Sequence, residues 1–122
     1  MTDKLTYQRI RNRLFEIVEW IIESDTNPPS LGFNALINYW DDWTNSSTHA
    51  SDFPAPIYSA NEGQLLVKLG EAIDTFCKVT PKTMETEVEA LHSPEWKSVL
   101  VLAHQTYEEM MKRGRLSEVT DL

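Results

Sequence analysis

A single cysteine, Cys77, among 122 residues leaves no partner for an intrachain disulfide and nothing from which to assemble a cysteine-based zinc site. It reads as a small buried apolar residue. The four glycines, Gly32, Gly63, Gly70 and Gly114, are too dispersed for a phosphate-cradling loop, and neither Gly-x-Ser-x-Gly nor His-Glu-x-x-His occurs. His49, His92 and His104 share no metal-ligand spacing with one another or with an acid pair, so neither metal nor cofactor is expected. No apolar run approaches the roughly 18 residues of a membrane span. The first nine residues are amphipathic and lack the regions of a signal peptide, so the expectation is a soluble, cytoplasmic protein without a membrane partner.

The most informative shortage is of one sign of charge. Residues 14–67 contain no Lys or Arg, yet hold Glu16, Glu19, Glu23, Asp25, Asp41, Asp42, Asp52 and Glu62. Those eight acids equal the formal net charge of −8, because the opening thirteen residues and residues 68–122 cancel one another. A pI near 4.8 argues against nucleic acid as a partner, since affinity for phosphate backbones comes mainly from Lys and Arg displacing counterions. Lys4, Arg9, Arg11 and Arg13 near the start read as a solvated helix face.

What remains is amphipathic periodicity of about 3.6 residues, in amounts that fit one domain over 1–122. A first helix runs from a cap at Thr2 or Asp3 to about Glu23, with Tyr7, Ile10, Leu14, Ile17, Val18 and Ile21 on the buried stripe. Glu16, Glu19 and Glu23 fall on the other face. Trp20 lands about 120° from the stripe's centre, either as an exposed ring or as one covered by a neighbouring helix or loop. Pro28-Pro29 then breaks the chain. A second helix, from Ser30 or Asn34 to Trp43, puts Phe33, Leu36, Ile37, Trp40 and Trp43 on one stripe, which makes its tryptophans core. Asp41 and Asp42 diverge by about 100°, so a metal there would need Asp52 or His49 from across the following loop.

Residues 44–58 are turn formers followed by Phe53-Pro54-Ala55-Pro56-Ile57-Tyr58, too apolar to stand in water; they strap the helices or meet a partner. Ser59 to Glu62 is a capping box opening a third helix, with Leu65, Leu66, Leu69, Ile73, Phe76 and Cys77 inward and an end before Thr80-Pro81. A shorter helix is expected from Pro81 or Thr83 to about Leu91. Ser93-Pro94-Glu95 starts the last helix, which carries Trp96, Leu100, Ala103, Tyr107, Met110 and Met111 as its main stripe. Val99, Val101 and Leu102 extend apolarity around its middle, so it reads as the central helix. His104 on that stripe reads as a hydrogen-bonded core histidine. Residues 114–122 read as a loose tail. The fold class is therefore all-α, a bundle of about five helices.

The run Gly32 to Trp43 (Gly-Phe-Asn-Ala-Leu-Ile-Asn-Tyr-Trp-Asp-Asp-Trp) and the run Pro56 to Glu62 resemble the immunity proteins of bacterial contact-dependent growth inhibition and related polymorphic toxin systems. That resemblance, concentrated in residues 32–62, implies a cytoplasmic protein that binds one toxin domain, often a nuclease, and blocks its active site or substrate groove. These families share no catalytic motif, so no residue role carries over by position. Charge alone makes the natural partner basic, and the expected contacts are Glu16, Glu19, Trp20, Glu23, Asp41, Asp42 and Asp52. Two other classes compete: a regulatory or scaffolding protein binding a peptide or helix through Phe53 to Tyr58, and a small enzyme, which would need His92, His104 or carboxylates to converge. No residue pattern supports catalysis, and an enzyme is not expected.

Overall fold

A computed structural model describes residues 3–24, 32–44, 53–83 and 92–120. Among them the regular structure is entirely helical: α1 (Asp3–Glu23), α2 (Gly32–Thr44), α3 (Ala60–Thr83) and α4 (Pro94–Met111). The all-α expectation holds with four helices among the described residues; the short helix expected up to Leu91 falls largely on residues 84–91, outside them. No described helix is long and apolar enough to cross a membrane.

Local chemistry explains where two helices begin. The Glu62 amide donates to Ser59 Oγ at 3.1 Å while the Ser59 amide donates to Glu62 Oε1 at 2.8 Å, which closes the capping box at the head of α3. At α4 the Trp96 amide donates to Ser93 Oγ at 3.1 Å and Pro94 occupies the first turn, where its missing N–H costs nothing. The end of α3 departs from expectation. The helix continues through Pro81 to Thr83, where a proline in the final turn removes a single backbone bond.

The helices pack in the spatial order α3, α4, α1, α2. Leu14, Ile17, Val18 and Ile21 of α1 meet Leu66, Leu69, Ile73 and Phe76 of α3 and Trp96, Val99, Leu100 and Ala103 of α4 in one buried cluster. Trp96 is its keystone: its ring lies 4.8 Å from that of Phe76, and its indole N–H donates to Ser24 Oγ at 3.2 Å. From α2, Leu36 and Trp40 enter the cluster, and Trp40 lies over Gly70 of α3, where a Cβ would stand 3.7 Å from the indole.

Four apolar assignments need correction. Tyr7, Val101, Met111 and Trp43 are exposed, and His104 faces solvent rather than the core. In α4 the buried line is Trp96, Val99, Leu100, Ala103, Thr106 and Met110, turned slightly from the expected stripe so that it meets α3 and α1. The Val101 side is left uncovered. In α2 the seam follows Leu36, Trp40 and Thr44 at spacings of four, which rotates Trp43 to its edge.

The segment Phe53 to Tyr58 straps the bundle. Phe53, Ile57 and Tyr58 are all buried, the Phe53 and Tyr58 rings meet edge to face at 5.2 Å, and the Tyr58 amide donates to Pro54 O at 3.0 Å across a turn. The Ala55–Pro56 peptide is cis.

Residues 114–120 are not a loose tail. They lie along the first half of α1, where side chains of that helix bond their backbone. Gln8 Nε2 donates to Ser117 O and Thr120 O, both at 2.8 Å, and Arg9 Nε donates to Glu118 O at 3.0 Å. Asn12 works in both directions, donating to Leu116 O at 2.8 Å and accepting from the Leu116 amide at 2.9 Å. Of the basic residues at the start only Lys4 is on a solvated face: Arg9 and Arg13 hold this segment, and Arg11 is fully buried.

Candidate partner-binding face

Long-range pairing draws some acids of the cation-free stretch into the fold. Glu62, 1% exposed, is the hub of a buried ionic knot: its Oε2 accepts from Arg11 at 2.7 Å and its Oε1 from Arg113 at 2.6 Å. Arg11 also donates to Gly114 O at 2.7 Å and Met110 O at 3.1 Å. One acid of the cation-free stretch is thus spent inside the fold. Glu16 is partly spent, accepting from Arg115 at 2.8 Å and lying 3.2 Å from Arg13.

Two rings meet across α1 and α2. Trp20 of α1 and Tyr39 of α2 stand 5.6 Å apart, tilted by 60°. Both are partly exposed, 46% and 40%, and Trp43, one turn beyond Tyr39, is 40% exposed as well. Helical spacing sets the neighbours. Glu16 lies four residues before Trp20 and Glu23 three after it; Asp42 lies three after Tyr39. Glu23 and Asp42 are exposed. Trp20, Glu23 and Asp42, with Glu16 at one margin, therefore border a single face across α1 and α2.

Glu19, three residues after Glu16 and four before Glu23, lies on the same flank of α1, about 100° around the helix from Trp20. The other expected contacts fall elsewhere. Asp41 turns to the far side of α2, where its carboxyl is pushed above the ordinary range by partial burial, then by the nearby charges of Asp74 on α3 and Asp42. Burial, followed by the same pair Asp41 and Asp74, raises the Cys77 thiol. That thiol is half-buried rather than fully in the core. Asp52 and His49 lie outside the described residues. Among the described residues no three His, Cys, Asp or Glu side chains gather as a metal site would need.

No family model, curated protein or solved structure matches the chain. The face must therefore be read on its own chemistry. It has rings that a partner can cover, carboxylates on the same helices, and, among the described residues, two cations, Arg13 and Arg115, at its margin through Glu16. The competing strap reading has lost its anchors, since Phe53, Ile57 and Tyr58 already fill this chain's own core.

Sequence reasoning missed two members of the face, Tyr39 and Trp43. The signal was available: a thirteen-residue helix with four-residue seam spacing buries one edge only, and Tyr39–Trp43 is a second pair of rings at that spacing, displaced from Leu36–Trp40.

Proposed function

We propose that this protein is an inhibitor of the immunity type, which binds a cognate basic toxin domain, a nuclease, and occludes its active site or substrate groove without catalysing a reaction. The supporting observation is the partly exposed Trp20–Tyr39 pair, with Trp43 exposed one turn further along α2 and the exposed acids Glu23 and Asp42 on the same two helices, in a stretch of sequence devoid of cations. A monomer does not ordinarily leave two tryptophans and a tyrosine together in water, and such rings are the residues that anchor protein interfaces once desolvated. Carboxylates around them would steer a basic groove into register and stand where the phosphates of a nucleic acid otherwise bind. Neutralising such a toxin before it reaches nucleic acid requires the inhibitor to act in the cytoplasm.

The test is to express the toxin domain encoded by the reading frame beside this one and titrate its nuclease activity with the purified protein. Activity falling to zero at one equivalent, with a one-to-one complex that weakens as salt rises, is the expected result. Undiminished nuclease activity at a tenfold molar excess, in the absence of any complex, would overturn the reading.

A further inference from the structure

We propose that the first half of α1 is a peptide-binding groove and that residues 114–120 are its resident occupant. An extended segment of a partner displaces them if it carries an apolar residue followed two positions later by a carboxylate. The grip on the resident segment is mostly a grip on backbone. Gln8, Arg9, Arg11 and Asn12 donate to the carbonyls of Gly114, Leu116, Ser117, Glu118 and Thr120, and Asn12 Oδ1 accepts from the Leu116 amide in return. Such contacts hold an extended chain whatever its side chains, and pockets for alternate side chains then supply the selectivity. Gly114, Leu116 and Glu118 are half-buried while Arg115, Ser117 and Val119 are exposed, so every second residue faces the body of the protein. Leu116 packs against the core. The Glu118 carboxylate accepts from Asn12 at 3.1 Å and pairs with Arg13. Arg115 adds a surface pair with Glu16, half in water, which discriminates little. The occupant can leave because the core does not depend on it: no residue of 114–120 is fully buried. When it lifts, Arg11 keeps Glu62 and Met110. The groove lies apart from the Trp20–Tyr39 pair, so it stands or falls separately from the inhibitor reading.

The test uses the full chain carrying Leu116→Ser with Glu118→Lys, which takes both inward side chains from the resident segment and leaves α1 unaltered. It is titrated with a capped synthetic peptide of residues 114–120, and the side-chain amide resonances of Gln8 and Asn12 are followed by proton–nitrogen correlation spectroscopy. The expected result is saturable movement of those resonances, with affinity about tenfold weaker when the peptide itself carries Glu118→Lys. The unaltered protein binds the same peptide at least about tenfold more weakly than the variant does, because its own segment competes at a roughly millimolar effective concentration. No movement at millimolar peptide, equal affinity for the two peptides, or equal binding by variant and unaltered protein overturns the proposal. So does a concentration-dependent dimer of the unaltered protein, which would assign the groove to the tail of a second copy. If the variant does not fold, hydrogen exchange of the unaltered protein decides. The Leu116 amide is expected to exchange through an opening insensitive to low urea, while the amides of Leu69 and Ala103 exchange only on global unfolding. A Leu116 opening that carries the full urea slope overturns the proposal.

Discussion

Replacing Glu62 by alanine is the severest single test of how this fold is held together. The substitution strips the carboxylate from Arg11, whose side chain is 0% exposed, and from Arg113, which is 35% exposed. It also removes one half of the capping box at Ser59. Leaving a buried guanidinium without its counter-charge costs about 3–5 kcal/mol. The half-exposed Arg113 regains water and adds only about 0–1 kcal/mol, and the cap adds about 0.5–1 kcal/mol. The sum, roughly 3.5–7 kcal/mol, is comparable to the whole stability of a small domain, about 5–15 kcal/mol. Urea unfolding followed by tryptophan fluorescence measures it, with the midpoint falling at unchanged slope. The double variant Arg11→Met with Glu62→Gln should recover most of the loss, because removing both buried charges is close to neutral where removing one is not. A loss below about 1 kcal/mol for Glu62→Ala, the range of a solvent-exposed pair, would refute the claim that this knot is a desolvated one. So would a double variant no more stable than Glu62→Ala.

Asn12→Ala deletes both bonds to Leu116 and should lower stability by about 1–3 kcal/mol, with hydrogen-exchange protection lost first at the Leu116 amide. The Glu118 carboxyl, held low by Asn12 and Arg13 against slight desolvation, contributes stability that is present above its unfolded value near 4.5 and lost as pH falls through the lower folded value. Glu118→Gln should therefore flatten the acid limb of the melting curve. Asp41 runs the other way: its raised value makes the ionised form unfavourable in the fold, so Asp41→Asn should raise Tm at neutral pH and have no effect once pH lies below the carboxylate range. The same glycine replacement should have opposite signs at two sites. Gly70→Ala places a Cβ 3.7 Å from Trp40 in ordinary contact and should stabilise α3 by about 0.4–1 kcal/mol. Gly114→Ala, at φ 69°, should cost about 1–2 kcal/mol by the same urea measurement.

The helices were legible because their punctuation is local: Ser59 with Glu62 and Ser93 with Pro94 announce starts within four residues, and both caps form. The buried stripes of α1 and α3 were legible for the same reason, as their apolar residues recur at helical spacing. What periodicity does not show is a buried polar face. Gln8, Arg11 and Asn12 are buried because residues some hundred positions later supply their acceptors, and nothing in the neighbourhood of α1 marks that pairing. The exposed face divides in the same way. Trp20 was singled out by its angle on α1 alone, whereas the availability of Glu16 depends on Arg115 and the direction of Asp41 on where α3 lies. Of the eight acids, Asp25 and Asp52 lie outside the described residues, Glu62 became the centre of a buried knot, and Glu16 a partly paired margin.

The knot and the strand of backbone along α1 also set an order of events during synthesis. Arg11 emerges from the ribosome early, and its counter-charge on Glu62 and its carbonyl acceptors at Met110 and Gly114 follow only later. At about 5–20 residues per second the wait for Gly114 is roughly 5–20 s. Until then a guanidinium that ends fully buried must remain hydrated, so α1 is finished only after the described helices that follow it.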